Sequence, residues 1–115
     1  MCNDNETYLI VGLQGLVLLD VVGIIEEAFP GFRAVTAGSD AEAVALAAML
    51  KSIRFAFLNV DPDAFVRTEL AGILTRLGTR IVMMGQVAEE KAAHFPFDVL
   101  DRPFFEHDIL RILKK

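Results

Sequence analysis

Two carboxylates flank a proline in Asp61-Pro62-Asp63, two residues beyond Asn59 and directly after an apolar run. A carboxylate at the mouth of a cleft can accept a phosphoryl group, although acidic residues alone do not make a metal site. The same tripeptide is turn chemistry, and an aspartate there caps a following helix. Near the other end, Asp101-Arg102 joins an acid to a guanidinium that could clamp an anion in bidentate fashion, with Asp101 reading as its partner or as a cap. His94 stands where a short helix is expected to end, and His107 lies among acidic neighbours in the first turn of another. Neither has a second ligand at metal-binding spacing, so both read as surface residues and no metal site is expected. The single cysteine, Cys2, has no partner for an internal disulfide. No nucleophile–base pair or phosphate-cradling glycine loop is visible, so enzymatic turnover is not expected.

The elements that must position these groups follow from apolar patterning. Tyr8 to Val11, Phe32 to Ala37, Phe55 to Val60, Arg80 to Met84 and Phe97 to Leu100 read as strands, mostly near-continuous apolar runs rather than alternating ones. Between them fall helical stretches. The first runs from Gly15 to Phe29 before Pro30-Gly31. The second runs from Asp40 to about Lys51, opened by Ser39 and Glu42 in capping-box spacing. A third follows Asp61-Pro62-Asp63 and ends before Gly78, a short one covers Val87 to about His94, and an amphipathic one runs from Phe104 to Leu113 with Phe105 and Ile109 inward. Five strands alternating with five helices imply an α/β fold with a parallel sheet covered on both faces. The flavodoxin-like three-layer sandwich of strand order 2-1-3-4-5 is a common solution. Its functional crevice lies at the carboxyl ends of the first and third strands.

At 115 residues the chain suits a single domain, with a core over about 7–114. A hydrophobic fraction of 54% excludes disorder, and a net charge of −5 argues against a nucleic-acid surface. Lys114 and Lys115 cluster only as a tail. The apolar run from Tyr8 to Ile25 is interrupted by Gln14, Asp20 and three glycines, which reads as strand plus helix rather than a membrane span. With one cysteine, a reducing, cytoplasmic setting is expected.

The segments Tyr8-Leu-Ile-Val11, Val35-Thr-Ala-Gly-Ser-Asp-Ala-Glu-Ala-Val44, Phe55-Ala-Phe-Leu-Asn-Val60 and Val99-Leu-Asp-Arg-Pro-Phe104 resemble the landmarks of bacterial response-regulator receiver domains, in the right order and at nearly the right spacings. The resemblance implies a phosphorylation site. Two acids after the first strand and an aspartate ending the third bind Mg²⁺, and that aspartate becomes phosphorylated. A hydroxyl residue after the fourth strand and a lysine after the fifth contact the phosphoryl group. Here the acidic pair falls on Gly12 and Leu13, followed by Gln14, the acceptor on Asn59, the hydroxyl on Gly85 and the lysine on Arg102. The usual aromatic switch residue falls on Val99. An amide is neither an anionic ligand nor a competent nucleophile, so phosphorylation and Mg²⁺ binding are expected to be lost. A two-residue shift would make Asp61 the acceptor, at the cost of burying Asn59 in an apolar strand.

What the resemblance then implies is a pseudo-receiver of two-component signalling that acts through contact with a histidine kinase, a phosphotransfer protein or another regulator, or as a homodimer. Alternatives are a phosphorelay receiver using Asp61 and a binder of small anionic ligands in the crevice around Gly12, Asn59, Gly85 and Arg102. With Val17, Val21, Ile24 and Ala28 taken as the core face of the first helix, Leu18, Val22, Ile25 and Phe29 form a second stripe. That stripe is either an interface or the mark of a helix packed more deeply than usual. The short segment from Gly85 to Arg102 implies a trimmed fourth helix, altering the face through which many receivers dimerise.

Overall fold

The computed structural model of the chain describes residues 7–91, 95, 97–100 and 106–113. Five strands, β1 (Thr7–Val11), β2 (Arg33–Ala37), β3 (Phe55–Leu58), β4 (Arg80–Met84) and β5 (Asp98–Leu100), form one sheet in the order 2-1-3-4-5. Every pairing is parallel. Helices cover both faces, which makes this the expected flavodoxin-like α/β architecture. No helix of the described residues is long and apolar enough to cross a membrane.

β1 from Tyr8, β3 and β4 from Ile81 are apolar because successive residues face one or the other of two cores, whereas the edge strand β2 carries exposed Arg33 and Thr36 and the edge strand β5 begins with Asp98. On one face, Leu9, Val11, Ala56, Leu58 and Met83 meet helices α2 (Asp40–Met49), α3 (Pro62–Phe65), α4 (Glu69–Arg76) and α5 (Gln86–Glu90). On the other, Tyr8, Ile10, Phe55, Phe57, Val82 and Met84 meet α1 (Gly15–Ala28) and α6 (Glu106–Leu113). Alternate side chains point to opposite faces of a strand, so a sheet buried on both sides leaves no polar phase in the sequence.

Two expectations are corrected. The third helical stretch divides into α3 and α4 because Thr68 interrupts it as a cap. Its hydroxyl donates to the Phe65 carbonyl at 2.6 Å and accepts from the Ala71 amide at 3.2 Å. The described helices therefore number six.

The inward face of α1 is also rotated from the one expected. Val21 and Ile25 are fully buried, and Leu18, Val22 and Phe29 pack against the same core, so these residues do not form an exposed interface stripe. Val17 and Ala28, expected inside, are exposed. Phe29 is held by Phe32 at 5.1 Å between ring centroids, and Phe32 stacks on Phe55 at 6.0 Å. This aromatic cluster ties the end of α1 beneath the turn into β2. What α1 shows to solvent is Leu16, 78% exposed, and Leu19, 66% exposed.

Candidate functional site

At the carboxyl end of the sheet, Val11 and Leu58 are the last residues of adjacent paired strands, so the chain just beyond them converges. The Asn59 amide N–H continues the ladder, donating to the Val11 carbonyl at 3.0 Å. Its side-chain Nδ2 then donates to the Gly12 carbonyl at 3.2 Å. Asn59 thus binds the loop after β1 with its carboxamide.

Both glycines around it are required. Gly12 has φ +81° and Gly85 has φ +101°, in the region that side chains disfavour. A Cβ on Gly12 would stand 3.0 Å from the Asn59 carbonyl oxygen, and one on Gly85 would collide with Asn59 Oδ1. The carboxamide therefore fills the volume into which a residue-85 side chain would project. Residues 12, 59 and 85 form one interlocked arrangement. Leu13 packs toward the α1/α6 core, and exposed Gln14 takes the N-cap position of α1 without a side-chain capping bond. Arg102, Asp101, His94, Phe105, Cys2, Lys114 and Lys115 lie outside the described residues.

Asp61 stands beside this knot as the cap of α3. Its Oδ1 accepts the Asp63 amide at 3.0 Å, as the turn reading of Asp61-Pro62-Asp63 requires. Lys91, at the C-cap of α5, reaches Asp61 Oδ1 at 3.3 Å and makes a close ion pair with Asp63 Oδ2. The hydrogen bond that Lys91 donates to Asp63 raises the Lys91 pKa above the ordinary lysine value, reinforced by Asp61. Sequence reasoning missed Lys91, because nothing in local spacing ties a lysine thirty residues downstream to this turn; only the parallel arrangement of β3 and β4 brings them together.

A cleft of about 220 Å³ opens here, lined by Asn59, Val60, Asp61, Met84, Gly85 and Val87. The charged residue in its lining is a carboxylate, already committed to a cap and an ion pair. Among the described residues no three His, Cys, Asp or Glu side chains converge as a metal site would require. His107 is exposed in the first turn of α6, 3.5 Å from the Asp108 carboxylate. Comparison of the chain with family models, curated proteins and solved structures finds no match.

Proposed function

We propose that this protein is a receiver-like signalling module that does not take up a phosphoryl group and that acts through protein–protein contact. The observation that carries the reading is the Asn59 carboxamide, bonded to Gly12 and filling the space over Gly85 at the position where a receiver keeps its nucleophile. Phosphoryl transfer needs an anionic oxygen, a cation to offset the charge and room for the incoming group. An amide in contact with both flanking loops offers no anionic oxygen, and it occupies the space over Gly85. Loss of the chemistry leaves the shape and surfaces of the domain as its means of acting on a kinase, a phosphotransfer protein or another regulator.

A second reading is favoured by one observation: Asp61 lines the cleft, and its side chain is 44% exposed. It would then be a non-standard phosphoacceptor. Intact-mass measurement after incubation with acetyl phosphate and Mg²⁺ separates the two. The contact reading expects an unchanged mass. A gain of one phosphoryl group that disappears in Asp61→Asn would sink it in favour of the second.

A further inference from the structure

The surface of α1 and the surface beside α4 have complementary character. Leu16 and Leu19, one turn apart, project into solvent with Val17 at their flank, 43% exposed. The helix carries Asp20, Glu26 and Glu27, all exposed, and no basic residue. Gly23 continues this outer face, and no atom lies within 4 Å of where its Cβ would be, so a partner can approach the backbone closely. The result is an apolar ridge with an acidic border.

On the opposite face of the sheet, a groove of about 400 Å³ runs between α4 and the strands, with Phe65, Ile81 and Phe97 in its floor. A wider hollow of about 560 Å³ shares Thr75, Ile81 and Phe97 with it. On α4 the groove is walled first by the small residues Ala71 and Gly72 and then by Thr75 and the exposed Arg76, its charged lining residue. It has room for more than one leucine-sized side chain.

We infer that the ridge of one copy docks in the groove of another, so that the chain assembles head to tail. Ridge and groove match in kind: apolar against apolar, Asp20 against Arg76, Gly23 against the small residues of α4. They sit on opposite faces of one sheet and cannot meet within a molecule, so their complementarity is satisfied between copies. Such a contact is heterologous, and each copy keeps a free ridge and a free groove for the next. The inference rests on the contact reading and names the partner as a second copy.

The test is light scattering of the full chain from micromolar to near-millimolar concentration, with circular dichroism to verify folding. Wild type is expected to grow in mass beyond a dimer. Leu19→Asp removes the ridge, and Gly72→Glu places a carboxylate over the groove at a helical position with open space around it. Each variant alone is expected to be monomeric, and the two mixed are expected to form a 1:1 heterodimer that grows no further. A monomeric wild type, a wild type that stops at a dimer, or a mixture that stays monomeric overturns the inference. Those outcomes leave the proposed loss of phosphorylation standing, whereas a phosphoryl gain overturns that reading and leaves the mass data as they are.

Discussion

Asn59 makes at the end of β3 a bond that an aspartate could not, because its Nδ2 donates to the Gly12 carbonyl. Asn59→Asp would set a carboxylate oxygen against that carbonyl and lose the donor. The expected cost is about 0.5–1.5 kcal/mol at neutral pH, read from urea unfolding. Restoring the acid alone thus harms the fold before it restores any chemistry, and an unchanged midpoint would show that the amide bond contributes nothing. Gly85→Ala meets both a positive φ and the Asn59 oxygen, so it is expected to lose about 1–3 kcal/mol. Asn59→Ala should recover only part of that loss, since the backbone strain remains. Tyr8 bears on alkaline stability. Its hydroxyl is buried without a hydrogen-bond partner among the described residues, and burial, with Glu26 adding to it, raises the pKa from 10.0 to about 12. A raised folded pKa contributes stability that is whole below pH 10 and is lost as the pH climbs through 12. The loss is about 3 kcal/mol at most. Tyr8→Phe should therefore flatten the fall in melting temperature above pH 10 and be near neutral at pH 7. An equally steep fall in the variant would assign the alkaline loss elsewhere, with the Lys91 ion pairs the next group to examine, since Lys91 is also raised and loses its charge in the same direction.

Among the elements, caps decide where helices begin. Ser39 accepts the Glu42 amide at 3.3 Å, while the Glu42 carboxylate accepts the Gly38 amide at 2.8 Å, one residue beyond the Ser39 amide of a reciprocal capping box. Thr68 is the cap that starts α4, and Thr68→Ala is expected to cost about 1 kcal/mol of stability in chemical denaturation. No change in the midpoint would mean that α4 is held by packing alone. The same scale shows what could be read in advance. Strand positions, their parallel sheet and the cap at Ser39 were legible because long apolar runs between turn residues admit few alternatives. The break at Thr68 was hidden because a threonine inside an apolar-periodic stretch carries no mark of whether it caps or continues a helix. The orientation of α1 was hidden for a different reason. From Leu16 to Leu19 and from Val21 to Ile25 nearly every position is apolar, so periodicity assigns no face. Packing on Tyr8, Ile10 and α6 then selects Val21 and Ile25. At the site, Gly12, Asn59 and Gly85 could be placed from the sequence, but their mutual contact required the register of β1, β3 and β4.

The whole molecule is a flavodoxin-like scaffold with an asparagine side chain wedged between the loops at the carboxyl end of its sheet. The sheet brings three loops together, and the carboxamide joins the first to the third strand while occupying the space over Gly85. Lys91 fastens α5 to Asp61 and Asp63 on the cleft's other side. A domain so built presents an amide rather than a carboxylate at the end of β3, beside a small cleft whose carboxylate, Asp61, is held in a cap and an ion pair. The central claim is that the crevice does not respond to a phosphoryl group. It is tested most directly by recording amide NMR spectra during titration with beryllofluoride and Mg²⁺. The account expects no saturable shifts at Gly12, Asn59, Val60, Asp61 or Gly85. Saturable shifts centred on residues 59 to 61 and spreading to Gly85 would contradict it.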